Sequence, residues 1–379
     1  MDHPERPHIL IVDDMPERHT LAVEAAGVQG ENVVVRHPLD LEEEDLFDVD
    51  LVCVDEYLGD EWASVVRDRA DGLVALRNED GLAVAAALRS RARLNDDEGR
   101  PGFGVALLTA ALADLAAGLP EPHQEPLTAA QHDLEWVFRF NEGASTNLPR
   151  MIELARAARS LINGPAKFGD DSGAGWLELP ESDWESTAAA QIDDCRPPAH
   201  DLSFSTRGRS YLRWMTQRIL PYPTFLLDAL YASNLLGISR DSFVELADSE
   251  SLSRLGAQYV GPLSDTFAGP RWWRAGLQQF LLDCGSSQWE PTPVRAEAVR
   301  NYTGLDLTSL ESQQAVITYS YGGFVTSSDA SAEDAVRIQI DGWPVYADDP
   351  WALLSDVGED VDLRRLVAFD DRARLGPES

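Results

Sequence analysis

The chain has 379 residues and a formal net charge of -34. This length is sufficient for two domains, and the acidic charge disfavours binding to nucleic acids and anionic membranes, because their own negative charge is repelled. The three cysteines contain no CxxC pair, so neither a disulfide framework nor a zinc knuckle is indicated. The sequence shows neither a secretory pattern at the N-terminus nor an apolar run of about 18 residues. We therefore expect a cytoplasmic protein without a membrane segment.

Apolar runs typical of buried strands alternate with segments of helical periodicity over the first 163 residues. Strands are predicted at residues 8–12, 32–36, 51–54, 104–108 and 135–140. Helices are predicted at residues 18–26, 39–47, 81–92, 111–118 and 148–162. Five strands that alternate with helices predict an α/β fold, a doubly wound five-stranded parallel sheet.

Carboxylates follow two of these predicted strands. Asp13 and Asp14 come directly after the first strand, and Asp55 follows the third. Because the carboxyl ends of parallel strands meet at one edge of a sheet, we expect the three side chains to lie close together. Carboxylate oxygens are the ligands that Mg²⁺ prefers in proteins. The sequence therefore predicts a divalent-cation site at this edge, with Mg²⁺ as the cofactor.

The order of these side chains is similar to that of a known family. Asp13 and Asp14 after strand one, Asp55 after strand three, Thr109 after strand four and a basic residue in strand five resemble a response-regulator receiver domain, which has a flavodoxin-like fold. The resemblance implies that Asp13, Asp14 and Asp55 hold Mg²⁺. It also implies that Asp55 accepts a phosphoryl group from a histidine kinase, as in two-component signal transduction.

The same resemblance gives three further side chains a role. Thr109 is implied to be the switch hydroxyl that turns toward the phosphoryl group, and Trp136 the switch aromatic. Arg139 stands where the family has the Lys that pairs with the phosphoryl oxygens. Side chains that change position on phosphorylation convert added charge into a new surface shape.

Three features depart from the family pattern. Arg139 replaces Lys, Phe140 replaces the Pro that usually follows it, and a long insertion at 56–80 follows Asp55. A guanidinium is bulkier than an ammonium and pairs through a planar fork. All three features surround the expected phosphorylation pocket. They leave open a pseudo-receiver that acts as a binding scaffold or decoy without phosphorylation, and also a flavodoxin-like sheet whose acids only cap strands and helices.

The second half carries weaker signals. Residues 164–200 are rich in Gly, Pro, Ser and acids, which predicts a linker with a short ordered piece around residues 176–179. From residue 201 onward, helical periodicity dominates, and strand-like runs appear near 315–319 and 336–340. This pattern predicts a mainly helical α+β output domain of unknown type.

Two local patterns in the second half bear on its chemistry. A helix is predicted to begin at Pro270 and to carry Trp272 and Trp273. A helix-turn-helix drawn over residues 224–246 has an acidic recognition helix, so nucleic acid is disfavoured as a partner. No motif identifies a catalytic residue in this half, and an enzyme is therefore the less favoured interpretation.

The leading interpretation is a cytoplasmic response-regulator-like protein. In it, phosphoryl acceptance at Asp55 controls an output domain that works by contact with other proteins. The expected partner is a histidine kinase or another signalling protein, and a homodimer is left open. Two alternatives stand beside it: the pseudo-receiver scaffold, and an enzyme of unknown reaction in the C-terminal half that the receiver regulates.

Overall fold

The computed structural model of the protein describes residues 6–59, 81–97, 101–163, 173–198, 204–264 and 266–375. The first half contains a five-stranded sheet in which all strands are parallel, in the order β2-β1-β3-β4-β5. The strands are β1 His8–Val12, β2 Asn32–Arg36, β3 Leu51–Asp55, β4 Gly104–Thr109 and β5 Trp136–Arg139. The predicted five-stranded parallel sheet is confirmed.

Alternate residues of the central strands pack on opposite faces of this sheet. Ile11 belongs to a cluster that includes residues of the helices Thr20–Gln29 and Ala144–Ala158. Leu10 belongs to a second cluster, on the side of the helix Gly81–Asp97. Strands that are covered on both faces read as continuous apolar runs, which is why the sequence pattern locates them well.

The remaining helical segments of the first half are short. They are the 3-10 turns Pro16–His19, Pro38–Asp40, Glu43–Leu46, Glu121–His123 and Phe140–Glu142, the α-helices Leu112–Leu115 and Gln124–Gln131, and the π-helical turn Arg159–Asn163. The predicted helix over residues 39–47 is wrong. Asp45 accepts a hydrogen bond from the backbone of Glu42 and pairs with Arg36, and these contacts stabilise separate 3-10 turns instead.

The second half contains a four-stranded sheet in the order β10-β11-β8-β9 and a small two-stranded sheet. The strands are β6 Leu226–Leu227, β7 Trp272–Trp273, β8 Ala315–Tyr319, β9 Val325–Ser331, β10 Ala335–Arg337 and β11 Trp351–Leu353. The helical segments are Gly173–Trp176, Glu185–Asp194, Phe204–Trp214, Met215–Ile219 (π), Ala229–Leu236, Arg240–Ala247, Glu250–Leu255, Arg274–Asp283, Thr292–Thr303, Leu354–Glu359, Val361–Leu366 and Phe369–Arg374 (3-10). The predicted mainly helical α+β character is confirmed. None of the helices in the described ranges is long and apolar enough to cross a membrane.

The prediction that Trp272 and Trp273 lie in a helix is wrong. They form β7, which pairs antiparallel with β6, and the helix begins only at Arg274. The Trp273 ring is buried and stacks on Phe225 with 5.8 Å between ring centroids. Large aromatic side chains favour an extended backbone where they pack on a partner strand.

The described part of the expected linker, residues 173–198, is folded. It contains two helices, and Trp176, Leu177 and Trp184 are buried in it. Trp176 stacks on Tyr211 with 4.7 Å between ring centroids. The burial of these aromatic and aliphatic side chains outweighs the loop-like composition. The ordered piece expected at 176–179 is therefore larger than the composition indicates.

One hydrophobic core extends through both halves. Phe138 of β5 belongs to the same cluster as Tyr211 and Trp273 of the second half. A partly buried ion pair adds to this contact, with 2.9 Å between Arg213 Nε and Glu135 Oε1. The core beneath the parallel sheet thus continues without a break into the helices that follow it.

Candidate functional site

Three carboxylates meet at the carboxyl edge of the parallel sheet. Asp13 and Asp14 directly follow β1, and Asp55 is the last residue of β3. Because β1 and β3 are neighbours in parallel register, their ends lie side by side. One oxygen of each carboxylate lies within 4.8 Å of an oxygen of the other two. The sequence predicted this convergence from the order of the strands.

Burial and like charge act on this acidic cluster, defined as Asp13, Asp14 and Asp55. Burial and, after it, the charges of Asp13 and Asp14 together raise the pKa of Asp55 to about 7. For Asp13, burial also acts upward, but hydrogen bonds from His19 and from the Met15 backbone outweigh it and lower the pKa. Near neutral pH the cluster therefore combines a fixed negative charge with a carboxyl that is half protonated.

The cluster fits a small divalent cation. Its donors are oxygens, which are the ligands of Mg²⁺, and their mutual distances allow one ion to contact all three groups. Burial and, after it, repulsion by Asp13 and Asp14 favour the protonated form of Asp55, and a bound cation would offset that repulsion. Asp13, Asp14 and Asp55 are the residues that would hold it.

Two glycines allow the backbone to approach the acidic cluster closely. The Gly59 N–H donates to Asp14 Oδ2 over 3.0 Å, and a Cβ atom at Gly59 would lie 2.7 Å from that oxygen. A Cβ atom at Gly81 would lie 1.9 Å from the Asp55 carbonyl oxygen. At Gly81 the close atom is backbone, so this position requires Gly, whereas at Gly59 a Cβ atom would displace the Asp14 carboxylate. Residues 60–80 of that insertion lie outside the described residues.

Thr109 lies at the end of β4, beside the last residue of β3. It is buried, and its hydroxyl donates to Glu56 Oε2 over 3.2 Å and accepts from the Ala111 N–H over 2.9 Å. The sequence analysis placed Glu56 only at the start of the insertion. Its position directly after Asp55, opposite the end of β4, is the signal that identifies it as part of the site.

The described side-chain contacts of Arg139 are all with the segment before β5, and none is with the acidic cluster. Its guanidinium lies 3.2 Å from Glu125 and 4.0 Å from Glu121, and it donates to the Gln124 side chain over 3.4 Å. All three partners belong to the 3-10 turn and helix that precede β5. Pairing of Arg139 with a phosphoryl group on Asp55 would require at least part of this network to break.

Two further side chains at the acidic cluster, Arg18 and His19, come from the first turn after β1. His19 Nε2 lies 2.7 Å from Asp13 Oδ2. The charge of Arg18 acts to lower the pKa of both Asp13 and Asp55, although burial and the neighbouring acids raise that of Asp55 overall. The His19 ring is buried and meets Phe140 edge-on, with 5.8 Å between ring centroids. The sequence analysis did not assign these two residues, although their place four and five residues after Asp14 was a usable signal.

Trp136 is buried and contacts the second half of the chain. Its ring meets Phe267 edge-on, with 4.9 Å between centroids. The guanidinium of Arg150 lies 5.5 Å from the ring centroids of both Trp136 and Phe267. Arg150 also lies 3.0 Å from Glu125, the carboxylate that holds Arg139. Trp136 and Arg139 are therefore linked to each other, and through Phe267 to the second half.

Comparisons with protein-family models, curated proteins and solved structures found no match to this chain. The parallel sheet and its acidic cluster are thus the observations on which a function has to be argued.

Proposed function

We propose that the first half is a Mg²⁺-dependent receiver that accepts a phosphoryl group on Asp55 from a histidine kinase in the cytoplasm. The observation that carries this proposal is the convergence of Asp13, Asp14 and Asp55 at the end of neighbouring parallel strands. A site of this kind supplies a nucleophilic carboxylate, and acids for a cation, in one place. The second half would be the output module.

The reaction forms one bond and breaks one bond. A carboxylate oxygen of Asp55 attacks the phosphorus of a phosphohistidine, the phosphorus–nitrogen bond breaks, and an acyl phosphate remains on Asp55. Bound Mg²⁺ would neutralise charge on the phosphoryl oxygens during the transfer. Asp13 and Asp14 would hold that ion, and Arg18 adds positive potential at Asp55.

The surroundings of Asp55 support a change of contacts after phosphorylation. Thr109 donates its hydroxyl to Glu56, which is itself adjacent to Asp55 in the chain. A phosphoryl group carries strong acceptor oxygens and competes with Glu56 for that hydroxyl. Trp136, which contacts Phe267, lies in the strand next to Thr109 and is the route by which this change would reach the output module.

The proposal is tested with Mg²⁺ and acetyl phosphate, followed by intact mass measurement of the protein. We expect one phosphoryl adduct on the wild type and none on Asp55→Asn. Asp306→Asn is the matched control, because Asp306 is an exposed acid of the second half, and it should keep the adduct. An unmodified wild type, or an adduct on Asp55→Asn, would contradict the assignment.

A pseudo-receiver scaffold is the second candidate, and the contacts of Arg139 favour it. This residue is held by Glu121, Glu125 and Gln124, in an arrangement that is complete without a phosphoryl group. A rigid scaffold predicts that Asp13→Ala leaves partner binding unchanged and that acetyl phosphate does not alter it. A receiver predicts that the phosphoryl donor changes partner affinity and that Asp13→Ala removes this response.

A further inference from the structure

A separate cavity lies where the turn before the helix Gln124–Gln131 meets the second half. Its volume is about 350 Å³. We call it the aromatic cavity, because six rings line it: His123, Tyr222, Tyr231, Tyr319, Phe324 and Trp343. Cavities of roughly 300 Å³ or more are large enough for small organic ligands.

The Trp343 ring stands at steep angles to three other rings of the cavity, and two of these, His123 and Tyr222, stack on each other with 4.8 Å between centroids. The Trp343 ring is inclined by 88° to His123, by 73° to Tyr222 and by 70° to Tyr319, with centroids 5.3–5.6 Å apart. Aromatic walls at such angles can present both ring faces and ring edges to a molecule between them. This arrangement suits an apolar or aromatic group, and its ring faces also attract a cation.

Two buried polar side chains of this cavity have no hydrogen-bond partner in the described structure. Both ring nitrogens of His123 lack one, as does the hydroxyl of Tyr222, and these residues are 6% and 3% exposed. Burial lowers the pKa of His123 to about 4, so its ring is neutral at physiological pH and can donate from one nitrogen and accept at the other. These three atoms have almost no accessible surface, so a molecule in the cavity would contact the ring surfaces of His123 and Tyr222 rather than their polar atoms.

The aromatic cavity also holds one charge of each sign. Asp228 lines it and uses Oδ1 to accept from the Tyr231 N–H over 3.0 Å. Arg271 lines it as well and donates to three backbone carbonyl oxygens. A guanidinium has five N–H groups and a carboxylate about four acceptor sites, so both retain capacity for a ligand.

A pair of tyrosine hydroxyls adds a further donor. Tyr231 and Tyr319 hydrogen-bond to each other through their hydroxyl oxygens. Two hydroxyls carry two protons and this contact uses one, so the second is free to reach another acceptor. The cavity therefore offers donors from Arg271 and the tyrosines, acceptors from Asp228, and apolar surface from the rings.

We propose that the aromatic cavity binds a free amino acid with an aromatic or large apolar side chain. Asp228 would bind the ammonium group, Arg271 and the tyrosine hydroxyls would bind the carboxylate, and the rings would enclose the side chain. A simple cation or a simple anion would contact only one of the two charged groups, whereas the ammonium and carboxylate of an amino acid match both. Because both halves of the chain line the cavity, a bound amino acid would bridge them, and this proposal does not depend on phosphoryl acceptance.

The first test is calorimetric titration of the full chain with L-phenylalanine, L-tryptophan, L-leucine and L-methionine. We expect a dissociation constant below about 1 mM for at least one of them, and tenfold weaker binding for its analogues that lack the carboxylate or the ammonium group. For L-phenylalanine these analogues are phenethylamine and 3-phenylpropionate. Failure of all four amino acids to bind, or an analogue that binds as tightly as its parent, would overturn the proposal.

The second test places the ligand in the aromatic cavity. Phe324→Ala removes a lining ring that is about half exposed, so the thermal midpoint without ligand should change little, whereas affinity should fall about tenfold through lost apolar contact. Phe369→Ala is the control, because Phe369 is an exposed ring that does not line the cavity, and it should keep wild-type affinity. Asp228→Asn should weaken amino-acid binding at least tenfold, and it keeps a side chain suited to capping the helix Ala229–Leu236. Wild-type affinity in both Phe324→Ala and Asp228→Asn would refute the site.

Discussion

Replacing Asp55 with Asn should stabilise the metal-free protein at neutral and alkaline pH. Burial and the neighbouring acids raise the pKa of Asp55 from 3.8 to about 7 in the folded chain. A carboxyl whose pKa is raised by folding binds its proton more tightly in the folded state, so the folded state loses stability as pH rises between these two values. Asn has no charge to bury and does not suffer this loss.

The size of the effect follows from the pKa shift. Each pKa unit corresponds to about 1.4 kcal/mol, so between pH 5 and pH 7 the wild type should lose roughly 2–3 kcal/mol relative to Asp55→Asn. Above pH 7 the carboxyl is ionised in both states and the difference becomes constant. The lowered pKa of Asp13 has the opposite sign, but the same group is present in both proteins and largely cancels.

The assay is urea denaturation of both proteins in EDTA at pH 5, 6, 7 and 8. Asp306→Asn serves as the control for loss of one acid, because Asp306 is exposed, and its difference from the wild type should not vary with pH. Excess Mg²⁺ should stabilise the wild type at pH 8 more than Asp55→Asn. A pH-independent difference, or a variant that is less stable than the wild type at pH 8, would refute the reasoning.

Three further predictions concern the cation site and the contact between the halves. The dissociation constant of the wild type for Mg²⁺ should fall about tenfold from pH 6 to pH 8 in a calorimetric titration, because the cation competes with the proton on Asp55. A dissociation constant that does not change with pH would mean that the Asp55 carboxyl is already ionised at pH 6. Gly59→Ala should weaken Mg²⁺ binding about tenfold or more in the same assay, because its Cβ would displace Asp14; unchanged affinity would contradict the close approach. Glu135→Gln should lower the free energy of unfolding in urea by about 2 kcal/mol, because Arg213 loses its nearer carboxylate and keeps only Asp133, at 3.4 Å. A loss below about 0.5 kcal/mol would show that this ion pair contributes little.

The sequence could predict the parallel sheet and the convergence of its acids because both depend on local patterns. The run at 51–54 is apolar at every position, and only a strand covered on both faces has that composition. Once the strand order is known, register alone places Asp55 beside the residues that follow β1. The same argument places Thr109 at the edge, but it says nothing about the side chain to which its hydroxyl donates.

Features that depend on distant parts of the chain escaped sequence reasoning. Trp272 and Trp273 have helical residues after them, and only pairing with β6 makes them a strand. The helix Gln124–Gln131 is not among the helices that the sequence predicts, because Pro120, Pro122 and Pro126 indicate a loop up to Pro126. Pro is nevertheless tolerated in the first turn of a helix, where its missing N–H is not needed. That helix in turn supplies Glu125, so the contacts of Arg139 could not be foreseen.

The network around Glu125 is where the receiver and scaffold hypotheses differ physically. Glu125 pairs with Arg139 and with Arg150, and Arg150 lies against the rings of Trp136 and Phe267. In a switch, a phosphoryl group would have to draw Arg139 away from Glu125, and that carboxylate would then shift its pairing toward Arg150. Such a rearrangement changes the contact with Phe267 and so reaches the second half. In a scaffold the same network is a fixed part of the interface between the halves, and its rigidity serves to hold them in one arrangement.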